Sequence, residues 1–144
     1  MILAIDPGFD KTAWLRFDGL TIHERGITPN AEMRPVLTAY RYDQPVIEMI
    51  ASYGMPVGKE VFETCVWIGR FIEMLEEAER IFRRDVKLNL CGSTRAKDAN
   101  VRQALLDRLG PQGTKKNPGP TYGISKDLWA ALGVAVTAWD MGIK

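Results

Sequence analysis

The fold of this chain is decided by its N-terminal stretch, Ile2-Leu3-Ala4-Ile5-Asp6-Pro7-Gly8. Four consecutive apolar residues predict a buried strand, and the Asp-Pro-Gly triplet ends it in a turn. Asp6 therefore stands at the carboxyl end of a buried strand, which is where open α/β sheets bind ligands. The alternative is that Asp6 only opens the turn.

Four more strands follow from the patterns downstream. Residues 12–17 and 20–27 alternate well enough to form a hairpin around the Asp18-Gly19 turn, and further strands are predicted at 45–50 and 86–91. The N-terminal hairpins predict antiparallel pairing, and the later strands are separated by helical segments that favour parallel pairing. We therefore expect an α/β fold with a mixed five-stranded sheet: three antiparallel N-terminal strands, then parallel strands.

Helices are predicted from apolar residues at helical spacing. Asn30 can cap a short helix through Tyr40, although residues 28–44 are hard to assign. Three further helices are predicted. The first spans 58–83, the second begins after a cap at Ser93 or Thr94 and ends near Leu109, and the third begins after a cap at Ser125. Together these elements predict one domain, residues 1–144, with helices flanking the sheet.

Composition is that of a soluble globular protein, with 46% apolar and 26% charged residues in 144. No apolar run approaches the roughly 20 residues of a membrane span, so no membrane association is expected. The N-terminus lacks the features of a secretion leader, and Cys65 and Cys91 lack metal-site spacing, with His23 the only histidine. We therefore expect buried, unpaired cysteines in a cytoplasmic protein.

Charge is unevenly distributed, although the net charge is only +1. Residues 83–126 hold ten Lys or Arg and three acids, whereas residues 1–82 hold eight Lys or Arg and thirteen acids. Carboxylates can hold metal ions and cations can neutralise phosphates, so a nuclease needs both. For any single basic residue, plain solvation is the simpler interpretation.

Three acids occupy positions suited to chemistry: Asp6, Glu48 and Asp127. Glu48 interrupts an apolar strand, and a buried lone carboxylate is costly unless a cation lies beside it. Asp127 follows Ser125 and falls in the first turn of the last helix. Each also has a structural interpretation, because Glu48 could face solvent on an edge strand and Asp127 could complement the helix dipole.

Several motifs together resemble the RuvC-like Holliday-junction resolvases of the RNase H-like superfamily. They are the 2–8 stretch followed by Thr12, then Val46-Ile47-Glu48, the segment 92–104 with Ala96-Lys97, and the helix segment 129–137 (WAALGVAVT). The first and last of these are the specific ones. The resemblance implies an RNase H-like fold, and the size suggests a bacteriophage member, which would act in the host cytoplasm.

The resemblance implies a structure-selective endonuclease that cuts four-way or other branched DNA by two-metal hydrolysis and leaves 5′ phosphates. Asp6 would bridge two Mg²⁺ or Mn²⁺ ions, and Glu48 and Asp127 would complete their sites. It also implies a homodimer and no nucleotide cofactor. DNA contacts are expected from Lys97, Lys115 and Lys116, which would meet phosphates, and from Tyr53, which would stack on bases or else cover the edge of the core.

The sequence also departs from the family pattern. The family's last helix usually carries a second acid three residues after the first, and Ala130 stands at that position. Asp140 lies thirteen residues beyond Asp127, about 20 Å along a helix and too far to share an ion. The nearer substitutes for a fourth ligand are Asp10, Glu60 and Glu63.

Two other functions remain open. The pattern Asp6-x-Gly8-x-x-x-Thr12 also fits the phosphate-binding hairpin of actin-like ATPases, although those proteins surround the nucleotide with two such domains. The missing acid at Ala130 favours a module that binds branched DNA without cutting it. RNA:DNA hybrids and flaps are alternative substrates for a nuclease. If the chain dimerises, Phe62, Trp67 and Phe71 on the long helix are the candidate interface.

Overall fold

Five strands form one mixed sheet in the computed structural model, which describes all residues from 1 to 144. The strands are β1 (Ile2–Pro7), β2 (Lys11–Phe17), β3 (Ile22–Pro29), β4 (Gln44–Met49) and β5 (Glu79–Phe82). Their order across the sheet is β3-β2-β1-β4-β5. β1, β2 and β3 pair antiparallel, whereas β4 pairs parallel with β1 and with β5. The predicted mixed sheet is thereby confirmed.

Helices cover both faces of this sheet. They are α1 (Met33–Ala39), which follows a single 3₁₀ turn (Asn30–Glu32), α2 (Lys59–Met74), α3 (Arg83–Cys91), α4 (Asp98–Leu109) and α5 (Leu128–Asp140). Side chains of α1 and α2 pack against one face, and those of α3, α4 and α5 pack against the other. No helix combines the length and the apolar character that crossing a membrane requires.

The central strand β1 is buried on both sides, as its apolar run predicts. Ile2 and Ala4 contact the core under α5, whereas Leu3 and Ile5 contact the core under α2. This division follows from the two-residue period of a strand. Full burial of each large apolar side chain contributes roughly 1.5–3 kcal/mol.

Helix α5 is apolar around its whole circumference, and ten of its thirteen residues are buried. It packs against β1, β2 and β4 and also contacts α3 and α4, so it has little solvent-facing surface. A helix that is apolar on all sides is expected to be buried in this way. Its N-terminus therefore stays close to the carboxyl ends of the central strands.

The predictions for residues 75–91 were wrong. Helix α2 ends at Met74 instead of near Arg83, the fifth strand is Glu79–Phe82, and residues 86–91 are part of helix α3. Asp85 accepts a hydrogen bond from the Phe82 amide, which begins the helix, and Gly92 ends it with a φ of 73°. The segment 86–91 alternates apolar and polar residues and is short enough to fit either a strand or a helix.

The three predicted caps were also wrong. Asn30 is buried, accepts a hydrogen bond from the Thr12 hydroxyl and donates to the Gly8 carbonyl instead of capping a helix. Helix α4 begins at Asp98, beyond Ser93 and Thr94, and the cap position of α5 is Asp127 instead of Ser125. Which polar side chain reaches a free backbone amide at the start of a helix depends on where the helix begins and on the tertiary contacts around that residue.

Candidate active site

Asp6 and Glu48 lie next to each other at the carboxyl edge of the sheet. Ala4 pairs with Val46 and Ile5 with Ile47 across the parallel β1–β4 ladder, so Asp6 and Glu48 are the next residues on their strands. Both continue the two-residue stripe of side chains that faces α5. The fold therefore brings the first two predicted acids together.

Glu48 is buried, with 7% of its surface exposed, so its alternative placement on a solvent-facing edge was wrong. Its Oε2 atom is buried and has no hydrogen-bond partner. An unpaired buried carboxylate oxygen is costly, and a cation beside it would offset the cost. This orphaned oxygen fits a site for a positively charged ligand.

The electrostatics of the pair point the same way. Burial raises the pKa of Asp6 well above its usual value, and the negative charges of Glu48 and Asp127 raise it further. Burial also raises the pKa of Glu48, although the nearby Arg83 guanidinium opposes that shift. The two carboxyl groups therefore gain from any added positive charge.

Asp127 lies at the N-terminus of α5, near enough to Asp6 and Glu48 for its charge to act on both. The turn before it contains Lys126 with a φ of 51°, a left-handed conformation that redirects the chain into the helix. Asp127 itself is exposed and takes the cap position without a side-chain cap bond. It acts on Asp6 and Glu48 through its charge, and no three acidic, His or Cys side chains form a closed metal cluster.

Arg83 is the residue of this site that the sequence analysis missed. Glu48 is level with Ile81 across the β4–β5 ladder, and Arg83 lies two residues beyond Ile81. Its Nη2 atom donates to Asp98 Oδ1 at 2.6 Å, while its Nη1 atom is buried and unpaired. The signal was a basic residue two positions after the buried Ile81, but it becomes visible only once β5 is placed correctly.

A cavity of about 410 Å³ opens beside these groups. Its wall includes Glu48, Arg83, Asp98, Lys87 and Tyr53. The cavity therefore combines buried charges of both signs with an aromatic residue. Such a site suits a charged ligand more than an apolar one.

Of the four predicted DNA contacts, Tyr53 alone is part of the cavity wall. It is 58% exposed and lies 5.8 Å from the Arg84 guanidinium. Lys97 is exposed and immediately precedes Asp98 at the start of α4. Lys115 and Lys116 are exposed in a small hairpin closed by the Gly113–Pro118 bridge, and no contact joins them to the acids.

None of the possible fourth ligands joins Asp6 and Glu48. Asp10, Glu60 and Glu63 line a separate cavity of about 380 Å³. Asp140 ends α5 and accepts a hydrogen bond from Arg108 Nη1 at 2.6 Å. This position agrees with the prediction that Asp140 is not part of the site.

The remaining candidates lie elsewhere. Cys65 is exposed and Cys91 is half-buried, so the expectation of two core cysteines was wrong for Cys65, which faces away from the core on α2. His23 pairs with Asp18 at 2.7 Å in the β2–β3 hairpin, where this contact lowers the pKa of Asp18 to about 2.

The hairpin that resembles a nucleotide site is already internally bonded. The Thr12 hydroxyl donates to Asn30 Oδ1 at 2.6 Å, and the Gly8 amide donates to the Lys11 carbonyl at 2.9 Å. Thr12 is fully buried. These groups are therefore occupied by the fold, which weakens the nucleotide-binding alternative.

Solved structures provide the comparison with known proteins. RuvC of Thermus thermophilus in complex with a Holliday junction substrate matches with a TM-score of 0.69 at 17% identity, covering 99% of this chain and 94% of that chain. A second T. thermophilus RuvC structure matches with a TM-score of 0.62 at 18% identity, covering 99% and 96%. No protein-family model matches the sequence, and no curated protein matches it. The chain thus has the fold of RuvC, an RNase H-like α/β fold with a mixed five-stranded sheet flanked by helices.

Proposed function

We propose that this chain is a metal-dependent endonuclease that cuts branched DNA, with the four-way junction as its substrate. The observation that carries the proposal is the buried, unpaired Glu48 oxygen beside Asp6 at the carboxyl edge of the sheet. The fold supports it, because a RuvC with this fold was solved with a Holliday junction substrate.

Asp6, Glu48 and Asp127 would hold the Mg²⁺ or Mn²⁺ ions, two in each active site. All three offer carboxylate oxygens, which these ions prefer, and the burial that raises the pKa of Asp6 and Glu48 supports the proposal, because added positive charge would relieve it. When bound, the ions supply the charge that activates water and stabilises the leaving oxygen in phosphodiester hydrolysis, with 5′ phosphates as products. The β1–β4 pairing places Asp6 and Glu48 side by side, and Asp127 lies at the start of α5.

The surrounding residues would hold the DNA. Lys97 lies next to the cavity wall, and Lys115 and Lys116 extend the positive charge along the loop before α5, where they would neutralise phosphates. Tyr53 is exposed at the cavity rim, where its ring can stack on an unpaired base at the branch point.

The proposal also covers the oligomeric state of the enzyme and the cellular compartment in which it acts. Two symmetric cuts in a four-way junction require two equivalent active sites, so the enzyme would act as a homodimer. Its unpaired cysteines suit a reducing compartment, and we place it in the cytoplasm, which is that of the host if a bacteriophage encodes it.

The test is cleavage of a labelled four-way junction and a matched linear duplex in Mg²⁺, Mn²⁺ or EDTA. We expect paired, metal-dependent nicks confined to the junction, and a loss of at least about a hundredfold in Asp6→Asn, since removal of one catalytic interaction commonly has this effect. Asp107→Asn is the matched control, because Asp107 is an exposed acid on α4 that bonds only to Gln103. Cleavage that persists in EDTA or in Asp6→Asn would disprove the mechanism.

A module that binds branched DNA without cutting is the second candidate. Ala130 and the open arrangement of the acids favour it, because Asp127 is exposed and the acids form no closed cluster. Tight binding of the junction with no cleavage in either metal would select this function. RNA:DNA hybrid and flap substrates in the same assay would show whether a nuclease prefers them.

A further inference from the structure

Two buried atoms of opposite character lie without partners in side chains that line one cavity. One is Glu48 Oε2, a hydrogen-bond acceptor, and the other is Arg83 Nη1, a donor. The two atoms do not bond to each other, although the charges of their side chains interact. A folded protein rarely leaves such a complementary pair unsatisfied. A ligand that brings an anionic group to Arg83 and a cation to Glu48 would offset the charges of both side chains.

The Arg83 guanidinium is held in a defined orientation. Its residue begins α3 directly after β5, and its Nη2 atom donates to Asp98 Oδ1 at 2.6 Å. Its Nη1 atom lies 3.9 Å from the position that a Cβ on Gly133 would occupy, so it approaches α5 where that helix has no side chain. Asp98 and α5 therefore position the guanidinium from two sides.

A phosphate is the ligand that these groups suit. A guanidinium keeps its charge at every physiological pH and offers N–H donors in a geometry that matches phosphate oxygens. The cavity wall carries a second cation, Lys87, and the aromatic ring of Tyr53. The carboxylates of Asp6 and Glu48 would repel a phosphate on their own, so a fixed positive charge beside them has a clear use.

We propose that Arg83 binds the phosphate at the cleavage position through the part of its side chain that is exposed in the cavity wall, and that Asp98 is the positioning residue that holds the guanidinium there. This inference rests on the proposed function and assigns to that site a phosphate contact at the start of α3. It concerns binding of the phosphate and not the hydrolytic step. The competing interpretation is that Arg83 only balances the charge of Glu48 within the fold.

The test uses four-way junctions with one neutral methylphosphonate, moved through the phosphates around the branch point. Binding is measured in EDTA at low salt, so that cleavage is not involved. We expect the wild type to lose affinity on the order of tenfold at one position, because a charge-assisted hydrogen bond is removed. Arg83→Gln should bind the unmodified junction about as weakly, and neutralising the same phosphate should weaken it no further.

Two other variants sharpen the result. Arg80→Gln is the control, because Arg80 is an exposed arginine on β5, the strand that precedes Arg83, and this variant should keep the position-specific loss. Asp98→Asn should reduce that loss while leaving the protein folded, as judged by circular dichroism and thermal unfolding. Arg83→Lys should restore the response only in part, since lysine lacks the planar fork of donors.

The inference is overturned if Arg83→Gln responds to the neutral phosphate as the wild type does, or if the wild type does not bind the junction. Its failure differs from failure of the proposed function. If the junction is cut in Mg²⁺ but no phosphate position shows a loss of affinity that depends on Arg83, the inference alone is refuted. An Arg83-dependent phosphate in a protein that never cuts would refute the nuclease and retain the contact.

Discussion

The carboxylate of Glu48 is placed where water does not reach one of its two oxygens. It shares this edge of the sheet with Asp6, and burial raises the pKa of both groups. Arg83 offsets part of the unfavourable charge but makes no hydrogen bond to Glu48. At the scale of single residues, the site is therefore electrostatically unfavourable unless positive charge is added.

We expect Glu48→Gln to stabilise the metal-free protein at neutral pH by on the order of 1 kcal/mol, because it removes a buried charge. The folded-state pKa of Glu48 is raised above its ordinary value of 4.5, so its charge costs stability as pH rises through that range, and the cost is absent below it. Urea unfolding in EDTA across this range should show the gain growing with pH.

Magnesium should reverse the order of the two proteins. Saturating Mg²⁺ at about a hundred times its dissociation constant should stabilise the wild type by roughly 2.7 kcal/mol, and it should stabilise Glu48→Gln much less. Glu79→Gln, which changes an exposed acid on the neighbouring strand, is the matched control. Equal stabilisation of the wild type and of Glu48→Gln by Mg²⁺ would show that Glu48 does not hold the ion.

The C-terminal end of α5 illustrates how the helices are joined at the scale of elements. Asp140 accepts hydrogen bonds from Arg108 on α4 and from Asn89 on α3. An acid at a helix C-terminus opposes the helix dipole, so these partners compensate for its position. The contact ties three helices together at the end opposite Asp127.

Asp140→Asn should therefore lower the free energy of unfolding by about 0.5–1 kcal/mol at neutral pH, the range for a partly exposed ion pair. Arg108 holds the pKa of Asp140 below its ordinary value of 3.8. The stabilisation is thus present above that ordinary value and is lost as pH falls through the lowered one. Denaturant unfolding at both pH extremes checks this, and a difference that is independent of pH would contradict it.

At the scale of the whole molecule, α2 carries the exposed apolar residues of the proposed dimer interface. Phe62 is 61% and Val66 is 58% exposed. Phe71 is fully buried in the core under α2, and Trp67 packs against it, so the expected contribution of Phe71 to the interface was wrong. The outward face that remains is centred on Phe62 and Val66.

We expect the wild type to sediment as a dimer at micromolar concentration and Phe62→Glu/Val66→Glu to sediment as a monomer, because two buried charges would oppose association. In the junction assay, the monomer should make single nicks instead of paired ones. Leu20→Glu is the control, since Leu20 is 78% exposed in the β2–β3 turn. A monomeric wild type would refute the interface and the symmetric mechanism together.

The sequence by itself determined the elements with strong local patterns. The four apolar residues before Asp6 predict β1, the apolar strand around Glu48 predicts β4, and the apolar circumference of 128–139 predicts α5. These patterns are local, because the periodicity of a strand or helix is written in neighbouring residues. Together with the hairpin patterns they predicted the mixed sheet, and they identified Asp6 and Glu48 as candidate site residues, whereas the pairing of β1 with β4 was seen only in the structure.

Only the tertiary structure decided what surrounds those acids. β5 has a single fully buried residue, Ile81, and its pairing with the edge of β4 leaves no clear local pattern in the sequence. Because β5 was predicted at the wrong residues, Arg83 was not recognised as part of the site. The surroundings of its guanidinium come from α4 and α5, which are distant in the sequence, and they leave the Nη1 atom without a partner. Burial and hydrogen-bond satisfaction depend on every element packed around an atom, so they exist only once the chain has folded.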